Sequence, residues 1–158
     1  FYSTETPPAL ETAGGIKKAL PLLGDQPFLV INGDILTDYP LKNLMPHAQT
    51  QPSQALLHLV LIPNPEHNPA GDFCVINERL CEKTTGQPSY TFSGIGLYHP
   101  DLFKDVPEQQ AAKLAPLLKK ACQSRQAHAE IYTGYWLDVG TPKRLAQANQ
   151  TANMQIST

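Results

Sequence analysis

No stretch constrains this chain more than Phe28-Leu29-Val30-Ile31-Asn32-Gly33-Asp34. Four apolar residues, two of them β-branched, run into an Asn-Gly stop and then a carboxylate. A continuous apolar run this short predicts a strand buried on both faces, the kind found inside a parallel sheet. Asp34 then falls just past the strand's carboxyl end, the edge where open α/β sheets hold their ligands. A carboxylate there suits a hard cation with oxygen ligands. Taken alone, the same residues also describe a plain strand-to-turn aspartate.

The chain has 158 residues, enough for one domain with a real core and short for two. A net charge of −2 gives no electrostatic reason to expect nucleic acid or an anionic membrane as a partner. No apolar run approaches a membrane span. The three cysteines (Cys74, Cys81, Cys122) form no C-x-x-C pair, so a disulfide framework or a cysteine zinc site is not expected, and idle thiols in a reducing cytoplasm are. The chain opens Phe1-Tyr2-Ser3-Thr4 without Met, and the expectation is a larger domain whose amino-terminal part this sequence does not contain.

Leu10-Glu11-Thr12-Ala13-Gly14-Gly15-Ile16 opens a helix with Thr12 as N-cap, and Pro21 and Gly24-Asp25 end it. Two glycines in a first turn cost helix propensity, which suggests close approach of some group to the backbone. Helix N–H groups at that turn favour anionic or carbonyl partners. Residues 41–49 read as a short helix and residues 55–62 as a strand, with His58 a satisfied core histidine. Residues 63–71 form a Pro-rich loop long enough to be functional; His67 within it reads as solvated. Residues 72–76 and 90–98 read as strands, residues 79–88 as turn-rich, and residues 100–103 as a helical turn. Glycines inside the 90–98 strand mark a bulge or a close ligand. Leu114, Leu117, Leu118 and Cys122 stripe an amphipathic helix. A strand over 128–132 is followed by Gly134-Tyr135-Trp136-Leu137-Asp138-Val139-Gly140. Thr141-Pro142 then supplies an N-cap and a proline at N1 for a final helix through Gln150. Strands alternating with helices predict an α/β domain with a mostly parallel sheet and added antiparallel strands.

Two carboxylates stand out by position, Asp34 past a strand and Asp138 just before a capped helix. If the fold brings them together, two aspartates on Mg²⁺ suit phosphoryl or nucleotidyl transfer, where catalysis is positioning and charge neutralisation. Asp138 is otherwise a turn residue. The motifs of acyl transfer, zinc proteolysis, Walker A binding and dinucleotide redox chemistry are absent from the sequence.

In order, Leu10-Glu-Thr-Ala-Gly-Gly-Ile, Phe28 to Asp34, Gly71-Asp72-Phe73, Thr91-Phe-Ser-Gly-Ile, Lys113-Leu-Ala-Pro-Leu-Leu and Trp136-Leu-Asp-Val-Gly-Thr141 resemble the sugar-1-phosphate nucleotidyltransferases. The resemblance implies a Rossmann-like nucleotidyltransferase domain truncated at its amino terminus. Residues 1–150 would be the C-terminal two-thirds of that domain and residues 151–158 a frayed tail. It further implies a cytoplasmic, Mg²⁺-dependent enzyme whose partners are a nucleoside triphosphate and a sugar 1-phosphate. UTP and N-acetylmuramate 1-phosphate come first, with a place in peptidoglycan recycling; GTP with mannose 1-phosphate, or UTP or dTTP with glucose 1-phosphate, are the alternatives. By motif position Asp34 and Asp138 would hold the metal, and Glu11, Thr12, Ala13 and Gly14 would line the base pocket. Asn32, Gly71, Asp72 and Ser93 would contact the sugar, and Lys83 its phosphate, although Thr84 stands where a proline usually follows. The family's Gly-rich loop with its Arg, and a Lys soon after, are not in this sequence. This polypeptide alone is therefore expected to be inactive; a binding domain without catalysis is the reading from another class.

Overall fold

The computed structural model describes residues 1–5, 7–49 and 54–156, with side chains through residue 150. Helix α1 (Glu11–Leu23) leads into strands β1 (Phe28–Ile31) and β2 (Ile35–Thr37), then a 3-10 helix over Leu41–Gln49. Strand β3 (Leu57–Ile62) is followed by the hairpin β4 (Phe73–Ile76) and β5 (Arg79–Glu82), and by β6 (Thr91–Tyr98). A 3-10 turn over Pro100–Phe103, helix α2 (Leu114–Gln123), strands β7 (Ala127–Ile131) and β8 (Trp136–Asp138), and helix α3 (Pro142–Ile156) complete the order.

Six strands form one mixed sheet in the order β1-β6-β3-β7-β5-β4, and β2 pairs with β8 in a separate two-stranded ribbon. Strands β1, β3, β7 and β4 point the same way; β6 and β5 run against them, so β3 and β7 are the directly paired parallel neighbours. This is the expected α/β architecture, with the antiparallel strands inserted between the parallel ones.

Why β3 sits at the centre is written in its composition. All six of its residues are buried. Leu57, Leu59 and Leu61 pack with Ala13 and Ile16 of α1, Phe103, and Leu118 and Ala121 of α2. On the opposite face Val60 joins Ile95, Tyr39 and Leu44, the last from the 3-10 helix. With both faces covered the strand reads as an unbroken apolar run rather than an alternation. Leu59 is completely buried. Leu59→Ala is expected to lower the unfolding free energy by about 2–5 kcal/mol, read as a reduced denaturant midpoint at unchanged slope.

Several expectations need correction. Strand β1 is not buried on both faces: Leu29 and Ile31, on one face of the strand, are exposed, while Phe28 and Val30 on the other pack against the core. Helix α1 begins at Glu11, with Leu10 at the N-cap position and no side-chain cap, so Thr12 lies inside the first turn. The helix also runs through Pro21 to Leu23 and ends at Gly24, whose φ is +85°. Residues 79–82 are a strand, β5, joined to β4 by Asn77 and Glu78, both at positive φ. That pair of left-handed residues is the geometry of a tight hairpin turn, without the Asn-Gly that would announce it. Helix α3 continues through Ile156, past the predicted end at Gln150, and residues 157 and 158 lie outside the described residues. No helix among the described residues is long and apolar enough to cross a membrane.

Candidate active site

Site geometry begins with an irregularity in β6. Its register with β3 jumps between Val60↔Ile95 and Leu61↔Phe92, leaving Ser93 and Gly94 as a bulge. Gly94 sits at φ +81°, and a Cβ there would meet Asn32 and Ile35 side-chain atoms at 3.0–3.1 Å. A bulge frees backbone groups from the ladder. Here the Gly94 carbonyl accepts from Asn32 N–H at 2.9 Å, and the Ser93 carbonyl accepts from Trp136 Nε1 at 2.8 Å. The first bond holds the turn that carries Asp34; the second holds the strand that carries Asp138.

The β2–β8 ribbon then joins the two. Ile35 pairs with Asp138, and Val139 N–H donates to the Asp34 carbonyl at 2.8 Å. The side chains meet at Gly140. A Cβ on Gly140 would lie 2.8 Å from Asp34 Oδ2 and 3.0 Å from Asp138 Oδ1. Both carboxylate oxygens therefore border one point, and only a residue without a side chain leaves it open. Hard oxygen donors flanking one gap suit a cation such as Mg²⁺, so the residues present fit the metal the fold implies.

Asp138 is held firmly. Its Oδ1 accepts from Gly140 N–H at 2.7 Å and from Arg144 Nη2 at 3.0 Å, while Arg144 Nε donates to its carbonyl at 2.9 Å. His67 Nε2 lies 3.9 Å from Oδ2. Partial burial works to raise the Asp138 pKa, but the Gly140 N–H, the Arg144 guanidinium and His67 outweigh it, and the carboxyl lies below its ordinary value. For a depressed carboxylate, the stabilisation from ionisation is present above the unfolded-state pKa and is lost as pH falls through the folded one. Arg144→Met removes one lowering influence. The Asp138 titration followed by carbon NMR is expected to move to higher pH, and an unmoved curve contradicts the role given to Arg144.

The other expected site residues divide. Asn32 is exposed beside Gly94, next to Asp34. Asp72 is exposed and anchored: Oδ2 accepts from Phe92 N–H at 2.9 Å and Oδ1 from Asn68 Nδ2 at 3.1 Å. Gly71, at φ +59°, is closely packed, since a Cβ there would meet Asn64 Oδ1 at 2.6 Å. Lys83 Nζ donates to the Gly71 carbonyl at 2.7 Å, tying the end of β5 to the 63–71 loop. Ser93 is completely buried, and its Oγ accepts from Ile95 N–H. The Ser93 hydroxyl thus serves the bulge, and the residue bears on the site through its carbonyl and Trp136.

Helix α1 is organised differently from the sequence reading. Ala13 and Gly14 N–H groups both donate to the Ala112 carbonyl, at 2.9 and 3.2 Å. A Cβ on Gly14 would meet Gln110 O at 2.4 Å, and one on Gly15 would meet Glu5 Oε1 at 2.6 Å. The close approach predicted at these glycines exists, but it is made by the protein's own 110–112 segment and by Glu5. Among the described residues, Glu11 and Thr12 are the members of the 11–14 set with exposed side chains.

His67 and Arg144 were not singled out for the site. Arg144 carried a readable signal: with the helix opening at Pro142, position 144 lies in its first turn, close to the carboxylate that precedes it. His67 carried only the length of its loop.

Comparison with known proteins settles the affiliation of this arrangement. A model of the nucleotidyl transferase family matches residues 1–155. The chain belongs to this family. It is 44% identical over 152 residues to N-acetylmuramate alpha-1-phosphate uridylyltransferase of Neisseria meningitidis serogroup B, covering 96% of this chain and 66% of that protein. It is 28% identical over 151 residues to a mannose-1-phosphate guanyltransferase of Aspergillus fumigatus, covering 90% of this chain and 41% of the relative. The chain thus spans about two thirds of the one and well under half of the other. Among solved structures, a Bacillus anthracis protein described as a glucose-1-phosphate thymidylyltransferase, in complex with sucrose, superposes with a TM-score of 0.74 at 19% identity. That match covers 93% of this chain and 63% of the other. The inositol-1-phosphate CTP transferase of T. maritima gives 0.64 at 16% identity, over 85% and 58% of the two chains. At such identities the likeness is one of fold.

Proposed function

We propose that this nucleotidyltransferase chain serves transfer of a uridylyl group from UTP to N-acetylmuramate 1-phosphate, giving the UDP-sugar and pyrophosphate. The observation that carries the reading is the meeting of Asp34 and Asp138 across Gly140. The 44% identity to the Neisseria enzyme supports the choice of sugar and base.

Asp34 and Asp138 would hold Mg²⁺, which when bound neutralises phosphate charge during in-line displacement. A phosphate oxygen of the sugar 1-phosphate attacks the α-phosphorus, the bond to the bridging oxygen breaks, and pyrophosphate leaves. Arg144, the Gly140 N–H and His67 keep Asp138 ionised and aimed at the gap. Trp136 and Asn32, bonded to the β6 bulge, fix the two aspartates against the sheet. Asn32 and Asp72, both exposed, would meet sugar hydroxyls, with Gly71 giving the backbone its close turn and Lys83 holding that loop. Glu11 and Thr12 are assigned to the base.

The test is pyrophosphate release by the full-length gene product with UTP, N-acetylmuramate 1-phosphate and Mg²⁺. GTP with mannose 1-phosphate and dTTP with glucose 1-phosphate serve as competing pairs. Release at least about tenfold faster with the first pair is expected, and preference for another pair overturns the substrate assignment. Nucleotide binding without release in any mixture would overturn the enzyme reading itself. These 158 residues hold no Gly-rich loop with its Arg and Lys, so the polypeptide by itself is expected to release no pyrophosphate.

A further inference from the structure

On the sheet face away from α1 and α2, a cavity of about 570 Å³ is lined by His47, His58, His128, Glu78 and Glu130. His58 is 4% exposed, and neither ring nitrogen has a hydrogen-bond partner among the described residues. Buried side-chain polar groups in native proteins nearly always have one. The satisfied core histidine expected from the sequence is therefore unsatisfied among the described residues, and it borders this cavity.

We propose that His47, His58 and Glu130 bind a divalent cation of the zinc class, at a site separate from the Asp34–Asp138 pair. One potential ligand atom from each lies within 4.8 Å of the others. The His47 and His58 rings stack at 3.7 Å between centroids, 22° apart. Zinc–nitrogen bonds of about 2.0–2.1 Å require these ligand atoms to draw closer on binding and the two stacked rings to tilt toward a shared point. Neither His58 ring nitrogen is tied up in a hydrogen bond among the described residues, so a lone pair is available to a metal. Glu130 accepts a hydrogen bond from the Tyr39 hydroxyl through one oxygen, which orients the carboxylate and leaves the other oxygen available. Two imidazoles and a carboxylate favour zinc, cobalt or nickel over magnesium, and a three-ligand set leaves a fourth position open. His128, the register partner of His58 on β7, borders the same space.

The test titrates metal-stripped full-length protein with Zn²⁺ alone by calorimetry and with Co²⁺ alone by visible absorption. One equivalent per chain is expected, with Co²⁺ developing ligand-field bands that Zn²⁺ abolishes and excess Mg²⁺ does not. His47→Gln and Glu130→Gln, each confirmed by an unchanged melting temperature in chelator, are expected to weaken Zn²⁺ binding at least about tenfold. Asp138→Asn is expected to leave it unchanged. Absence of Zn²⁺ uptake by the wild type, wild-type Zn²⁺ affinity in both His47→Gln and Glu130→Gln, or loss of binding in Asp138→Asn would each overturn the proposal.

Discussion

Asp34→Asn in the full-length protein is expected to reduce pyrophosphate release by at least about a thousandfold, a loss of about 4 kcal/mol of transition-state stabilisation. Asp138→Asn is expected to do the same. Asp34 is exposed and its carboxylate makes no hydrogen bond or ion pair among the described residues, so the stability of Asp34→Asn should stay within about 0.5 kcal/mol of wild type. If the two aspartates act on one cation as a unit, the double variant should be scarcely slower than either single variant, since groups acting together are strongly non-additive. Additive losses would indicate two independent roles. An unaffected rate in Asp34→Asn would return that residue to an ordinary turn.

Gly140→Ala should impair turnover nearly as severely, by about a hundredfold or more, while removing no functional group. Its methyl would stand 2.8 Å from Asp34 Oδ2 and 3.0 Å from Asp138 Oδ1. Asp138 Oδ1 cannot retreat freely, because Gly140 N–H and Arg144 Nη2 both hold it. The methyl instead crowds both oxygens at the edge of the gap a cation would use. The two carboxylates are pushed apart mainly by movement of exposed Asp34, so stability should change little. Steady-state kinetics over a Mg²⁺ titration would read the effect as a large rise in the metal concentration needed for half-maximal rate. A variant with wild-type metal dependence would show that the gap is not where the metal sits.

The sheet was largely legible, for a physical reason. Central strands such as β3 carry their environment in their composition, and α3 announces its start through Thr141, whose Oγ1 accepts from Arg144 N–H. The misreadings fall where local sequence carries little. Strand β2 is three residues long and exists because β8 pairs with it. Strand β5 follows a turn of Asn77 and Glu78 that lacks the expected glycine. Leu29 and Ile31 lie on the face of β1 away from the core cluster, and no local pattern reveals which face of an apolar strand is left uncovered.

The same division holds for the site. Asp34 and Asp138 were visible as punctuation after a strand and before a capped helix, and motif order tied them together. What joins them physically is the β6 bulge at Ser93 and Gly94, the β2–β8 ribbon and the bare Gly140 between them, all tertiary facts. Gly14 looked functional because glycine is costly in a helix, yet the group that approaches it is Gln110 of the same chain. Ser93, read from its motif as a sugar contact, is completely buried, and its carbonyl accepts from Trp136 Nε1, a bond no local pattern announces.

Crystals of the full-length protein grown with Mn²⁺ in place of Mg²⁺ and a non-hydrolysable UTP analogue would test the arrangement most directly, by anomalous scattering at the manganese edge. One peak is expected within about 2.3 Å of an oxygen from each of Asp34 and Asp138, on the open side of Gly140. Manganese bound to only one of those carboxylates, or lying elsewhere with the nucleotide in place, would contradict the account.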